Sequence, residues 1–181
     1  SKGIDTLLQA LRITRNNNLP TKLLMIGGRT GTSDPANIVY AREVDAMVED
    51  LNLHDHIRWT GFVDSAAVSG HLAACDIVAL PFRDGVSFRR GSLMAALAHG
   101  CPIITTHPQV DMPELVEDVH VRLIPPDSPT ALAIAIEDLA DNPELREEMG
   151  NNARELSGRF TWETIATQTA AYYAEILDMP R

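Results

Sequence analysis

The residues with the clearest chemical potential lie in one stretch, Asp84 to Thr106. Arg89 and Arg90 stand side by side in a loop bounded by Gly85 and Gly91, with Ser87 and Ser92 next to them. Guanidinium groups are bidentate donors to phosphate and carboxylate, and neighbouring glycines let backbone come close to a ligand. Ser92 to His99 is small and apolar and reads as a helix stopped by Gly100, followed by a short strand, Pro102–Thr105. Free amides at a helix start beside two cations suit a phosphate or another anion. Two readings stand for the pair: an anion site, or a solvated Arg pair on a loop. Arg83 either joins the pair or points to solvent. Ser92 either donates a hydroxyl to phosphate or sugar, or is an ordinary residue of the first helical turn.

A second loop, Gly27-Gly28-Arg29-Thr30-Gly31, follows an apolar run, as phosphate loops do. It is neither GxGxxG nor a Walker sequence, and it reads as a permissive turn. The six histidines are scattered, and His54 and His56 lack the HxxxH or carboxylate pattern of a metal site. Cys75 and Cys101 form no disulfide framework and no CxxC pair, and they read as buried reduced thiols. No Ser-His-Asp order or carboxylate dyad emerges, although Asp111 and Glu114 are close in sequence, so no catalytic residue is assigned and no metal is expected.

The elements that must position these residues follow from periodicity and caps. Ile4, Leu7, Leu8 and Leu11 recur at helical spacing until the asparagines at 16–18, and Lys22–Ile26 is a buried strand. Asp34-Pro35 caps a helix carrying Tyr40, Val44, Met47, Val48 and Leu51. Ile57–Thr60 is a strand, Asp64 caps the next helix, and Asp76–Leu80 is a third strand stopped by Pro81. Pro113 to Glu117 reads as a short helical piece and Val121 to Ile124 as a last strand. Beyond Pro126 all is helical: Ser128-Pro129 and Asn142-Pro143 repeat the cap-then-proline signal, and Thr161 opens a long helix with Trp162, Ile165, Tyr172, Tyr173 and Ile176 on one side.

Short apolar strands alternating with amphipathic helices imply crossover connections and a parallel sheet covered on both faces. The expected fold is a doubly wound, Rossmann-like α/β sheet of about five to six strands with a helical C-terminal tail. Residues 1–181 read as one domain, with the helices of 128–181 packing on it or crossing from it. Ligands of such folds sit beyond the carboxyl ends of the strands. That rim would collect Gly27-Gly28, Thr60-Gly61, Pro81-Phe82 and Thr105-Thr106, with the Arg89–Arg90 loop leaving the third strand and His99 and His107 nearby. At 45% hydrophobic and 22% charged residues the composition is that of a soluble globular protein. The formal net charge of −10 opposes nucleic-acid or anionic-membrane binding, so an anion site has to be a local basic pocket. No apolar run approaches the ~20 residues of a membrane helix.

The order of motifs resembles the C-terminal half of retaining glycosyltransferases of the GT-B type, the group 1 (family 4) kind. Ser1-Lys2-Gly3-Ile4-Asp5 is similar to that domain's Lys-Gly opening. LLMIGG, IRWTGFV (57–63) and ACDIVALPF (74–82) are similar to its successive strands, and AALAHGCPIITT (95–106) to its Glu-Ala-Met-Ala-Cys-Gly-Val-Pro-Val-Val-Ala-Thr stretch. MPELVED (112–118) resembles its Pro-Glu-Val-Val turn, and NPELREEMGNNARELSGRFTWETIA its closing helices. The ordered set covers almost the whole chain.

The resemblance implies a hexosyltransferase-type enzyme that binds a nucleotide-diphosphate sugar, a UDP- or GDP-sugar, and transfers the sugar with retention and without a metal. It implies Lys2, Arg89, Arg90 and Gly91 at the donor diphosphate. Ser87, Phe88 and Ser92 fall in the sugar and ribose region, Gly61, Phe62 and Val63 in the base-binding loop, and Gly27 and Gly28 on the rim. The family's paired glutamates fall on Ser87 and Ala95, so neither carboxylate is present, and the Arg pair is expected to re-tune the pocket toward extra negative charge. The acceptor, a carbohydrate or a lipid, would be held by an N-terminal domain absent from this chain, and the isolated domain is expected to be inactive. The expected location is the cytoplasm, or the membrane periphery through the parent protein. Alternatives are a non-catalytic module kept for protein interaction and a nucleotide-sugar epimerase of the same fold.

Overall fold

The computed structural model describes residues 2–28 and 35–178. Residues 29–34, with the expected Asp34 cap, lie outside the described residues. The described chain holds five strands and seven α-helices, which alternate as far as β4. Helix α1 (Ile4–Asn16) leads into β1 (Leu23–Met25) and α2 (Pro35–Asp50), then β2 (Ile57–Trp59), α3 (Ser65–Ala73) and β3 (Val78–Leu80). Helix α4 (Gly91–Ala98), β4 (Ile103–Thr106) and β5 (Arg122–Ile124) follow. The C-terminal part is helical: α5 (Pro129–Asp141), α6 (Pro143–Ser157) and α7 (Trp162–Asp178).

All named strand pairings are parallel, as short apolar strands separated by helices require. β1 pairs with β2, and β3–β4–β5 form a separate hydrogen-bonded set, so the expected sheet of five to six strands is realised as five strands in two groups. Side chains join the groups where backbone does not: Leu23 and Met25 of β1 share one core cluster with Ile77, Ala79 and Ile104.

Period-two alternation along β4 shows why both faces need helices. Ile103 turns toward Leu93, Leu97 and Ala153, whereas Ile104 turns toward Leu7 of α1 and Leu132 and Leu139 of α5. Both isoleucines are fully buried, each burial contributing roughly 1.5–3 kcal/mol. A third cluster packs Leu8 and Leu11 of α1 with Val44 and Val48 of α2 over β1 and β2.

Two of the expected caps act as their residue types dictate. The Asp64 carboxylate accepts the Ala67 N–H at 2.8 Å, and the Ser128 hydroxyl accepts the Ala131 N–H at 3.3 Å. Asn142 does not cap α6 with its side chain; its amide donates backward to the Asp138 carbonyl at 2.9 Å. The helical piece expected over 113–117 is a turn. Leu115 N–H closes onto the Met112 carbonyl at 2.9 Å, and Asp118, with φ 57°, reverses the chain into β5 before a helix can nucleate.

At the start of α1 the chain requires glycine. Gly3 has φ 62°, and a Cβ there would lie 2.0 Å from the Pro81 carbonyl oxygen. Helix α1 is thereby seated directly on the exit of β3, which brings Lys2 to the same strand end.

Candidate functional site

Two groups of residues gather at the carboxyl ends of the strands. The first joins β1 to β2. Gly27 N–H donates to the Thr60 hydroxyl at 3.0 Å, and Gly27 forms an isolated bridge with Gly61. Phe62 lies against the backbone of Gly28, where a Cβ would come within 2.6 Å of its ring, yet the residue is 87% exposed. Val63 is half-buried beside it. Gly27, Gly28, Gly61 and Phe62 thus form one shallow ledge with an open aromatic face.

The second group leaves β3. Phe82 is buried, its carbonyl accepting the Thr106 hydroxyl at 2.7 Å, and the Thr105 hydroxyl donates to the Leu80 carbonyl at 2.8 Å. These side-chain bonds pin the strand exits together. The chain then folds into a tight loop, with Gly85 N–H on the Phe82 carbonyl at 3.3 Å and Arg90 N–H on the Ser87 carbonyl at 3.0 Å. A cavity of about 700 Å³ opens over it, lined by residues 84–90 with Gln109, Val110 and Met112. Its walls include an acidic group, Asp84, but no histidine.

The two arginines differ in environment. Arg90 is the N-cap residue of α4. Its guanidinium lies 4.6 Å from the centre of the Phe82 ring and is ion-paired with Asp84. The hydrogen bond from Arg90 holds the Asp84 carboxyl below the usual range. Arg89 is exposed on the cavity wall and has no ion pair among the described residues. The first amides of α4 are also open: the first intrahelical bond runs from Met94 N–H to the Arg90 carbonyl, no side chain caps the helix, and its first turn holds no acidic residue.

Arg83 takes neither role expected of it. It pairs with Asp5 of α1 and, at 3.1 Å, with Asp127, tying the start of α1 to the turn before α5. Ser87 and Phe88 line the cavity, and the Phe88 ring also packs on Phe160 at 4.4 Å between centroids. Ser92 is exposed on the first turn of α4, outside the cavity lining. Ala95 lies one turn further along α4, and its carbonyl engages His99 Nδ1 at 2.7 Å. His99 also gives its own carbonyl to Arg154 at 2.9 Å, so it braces the end of α4. His54 Nε2 lies 2.9 Å from a Glu49 carboxylate oxygen, before β2.

Neither cysteine is disulfide-bonded; Cys101 is buried, with burial pushing its thiol up to about 11, and Cys75 is half-buried. No set of three His, Cys, Asp or Glu side chains forms a metal cluster among the described residues. The cavity residues to which sequence reasoning gave no role are Asp84, Gln109, Val110 and Met112. Asp84 could have been found as the nearest carboxylate to the Arg pair; the others reach the cavity only through tertiary folding.

The family model for "Glycosyl transferases group 1" matches residues 1–142. A D-inositol 3-phosphate glycosyltransferase of Jonesia denitrificans is 29% identical over 178 residues, covering 95% of this chain and 40% of that protein. A GDP-mannose-dependent alpha-(1-6)-phosphatidylinositol monomannoside mannosyltransferase of Mycobacterium tuberculosis is 26% identical over 183 residues, covering 94% of this chain and 44% of that protein. The structure of Anabaena HepE in complex with UDP superposes with a TM-score of 0.82 at 22% identity, over 96% of this chain and 45% of that one, and so shares the fold. The chain therefore spans about two fifths of the length of the curated relatives it matches.

Proposed function

The chain belongs to the glycosyl transferases of group 1, and from that premise we propose that it is the donor-binding half of a hexosyltransferase using a UDP- or GDP-sugar. The observation that carries this reading is the cavity of about 700 Å³ after β3, lined by Arg89, with the uncapped amides of α4 following it and Lys2 adjoining Gly3, which lies against Pro81. A relative that depends on GDP-mannose and a structural neighbour that binds UDP support a nucleotide-sugar ligand.

In this reading the base lies on the ledge of Gly61, Phe62 and Val63 beside Gly27 and Gly28. The diphosphate meets Lys2, the Arg89–Arg90 loop and the amides from Gly91 onward. The sugar enters the cavity beside Ser87 and Phe88, with Ser92 near the ribose. As the bond from the anomeric carbon to the diphosphate lengthens, negative charge grows on the leaving oxygens. Cations and helix-start amides already aimed at that point stabilise it without reorganisation, so this chain assists leaving-group departure without a metal. Transfer proceeds with retention. The acceptor, a carbohydrate or lipid, is held by the part of the enzyme outside this chain.

Titration calorimetry on the full-length protein tests the assignment with UDP, GDP and the corresponding nucleosides. One diphosphate should bind, and Lys2→Ala and Arg89→Ala should each weaken it about tenfold while leaving nucleoside binding nearly unchanged, as loss of a charge-assisted bond to phosphate requires. Failure of both diphosphates and their sugars to bind would overturn the reading.

A further inference from the structure

We propose that the two adjacent arginines divide the work: of the pair, only the Arg89 side chain contacts the anionic ligand, and Arg90 is a positioning residue that closes the loop onto Asp84 and Phe82. The inference rests on the donor-site reading above only for the identity of the ligand.

The geometry is that of a clasp. Asp84 and Arg90 stand at the two ends of the loop that forms the cavity wall, and their side chains meet across it. The guanidinium plane is held a second time by the Phe82 ring, 4.6 Å away, and that ring is itself buried in the core. A guanidinium carries donors in a fixed fork and also stacks on aromatic faces, so one side chain makes both contacts. Within the loop, the Arg90 N–H on the Ser87 carbonyl, at 3.0 Å, closes the turn that carries Arg89, which is exposed on the cavity wall.

Charge follows the same division. An unpaired Asp84 at the cavity would repel a diphosphate; Arg90 cancels it and leaves Arg89 as the uncompensated charge of the loop. The depressed Asp84 titration is in keeping with a pair that stays ionised. From the sequence the two arginines are indistinguishable, and only their partners separate them.

The decisive variant is Asp84→Asn, because the two possible roles of Arg90 predict opposite signs. If Arg90 were a ligand-binding cation, removing the carboxylate would free it and tighten diphosphate binding. With Arg90 as a clasp, Asp84→Asn loosens the loop and weakens binding about fivefold, as does Arg90→Ala, from a half-exposed pair plus one cation–π contact. The double variant should be no worse than either single one, since both break one device. Arg90→Lys, which keeps the charge but not the fork, should not restore affinity. Arg89→Ala should lessen the salt dependence of diphosphate binding to the part that Lys2 carries, whereas Arg90→Ala should retain it in full. A ligand-free readout accompanies these: amide hydrogen exchange across 85–91 should speed about fivefold in Asp84→Asn and Arg90→Ala and stay unchanged in Arg89→Ala. Tighter binding by Asp84→Asn, or unchanged exchange in both clasp variants, overturns the proposal. If the unmodified protein binds no nucleotide, the donor-site reading fails and the exchange data still decide the clasp.

Discussion

Replacing Gly3 by alanine separates the physical terms that seat α1 on the sheet. Gly3 has φ 62°, a conformation that costs an L-residue about 1–2 kcal/mol. The added Cβ would also lie 2.0 Å from the Pro81 carbonyl oxygen and 3.2 Å from its carbon, so the start of α1 must retreat by about 1 Å. Its Leu7, Leu8, Ala10 and Leu11 are buried, so the retreat loosens packing on α5 and α2 as well. Together these amount to about 3 kcal/mol, which for a chain of this size lowers the melting temperature by about 6–12 °C. Gly61→Ala is the control. Gly61 has φ 68° but nothing within 4 Å of its added Cβ, so only the backbone term applies and the drop should be about 2–8 °C, smaller than that of Gly3→Ala. Scanning calorimetry of both variants, with UDP or GDP titration of Gly3→Ala, measures the difference. Donor affinity should fall in Gly3→Ala because Lys2 moves with the helix start. Equal melting temperatures for the two variants would refute the argument that Pro81 and α1 are in hard contact.

Two further outcomes follow from exposure and from titration. Phe62→Ala should leave the melting temperature unchanged, the residue being 87% exposed, while weakening nucleotide and nucleoside equally by roughly 5- to 150-fold, the range for a lost base–aromatic stack; equal affinities would exclude stacking there. His120 Nδ1 accepts the Val116 N–H at 3.0 Å, and burial holds its pKa below the ordinary 6.5 against the opposing pull of Glu155. The unfolded chain therefore takes up a proton first as pH falls through about 6.5, and stability declines there until the folded state also protonates, at no more than about 1.4 kcal/mol per pH unit. Denaturant titrations between pH 7.5 and 5 should show that decline and its loss in His120→Gln; an unchanged slope in the variant would assign it to other groups.

The elements were legible in the sequence wherever a local rule decides them. Asp64 and Ser128 cap as cap residues do, the apolar runs become strands, and the Arg pair falls on the strand-exit rim that parallel α/β folds use for ligands. What escaped the sequence are contacts between residues far apart in the chain: Arg83 with Asp5 and Asp127, Phe88 with Phe160, and Gly3 with Pro81. The stretch 113–117 has a proline and acidic residues suited to a helix start, but the left-handed Asp118 turns the chain before one full turn can pay for nucleation. In α7 the apolar period is real, yet Trp162 is 86% and Tyr172 60% exposed: periodicity announces a stripe, not what covers it.

The electrostatics of the rim show why the local pairing matters more than the total charge. A protein with formal net charge −10 should repel a diphosphate at long range. At physiological salt, exposed charges beyond about 8–10 Å are largely screened, so the ligand experiences only the nearest side chains. Of the cations gathered at the β3 exit, Arg83 is taken by Asp5 and Asp127, and Arg90 by Asp84. Lys2 and Arg89 remain without ion pairs among the described residues. Two uncompensated charges and the open amides of α4 match the roughly two negative charges of a diphosphate ester without excess. A larger basic surplus would hold the released nucleoside diphosphate as strongly as it helps it leave. The pairing of Arg90 with Asp84 is thus as much a part of the site's chemistry as the exposure of Arg89.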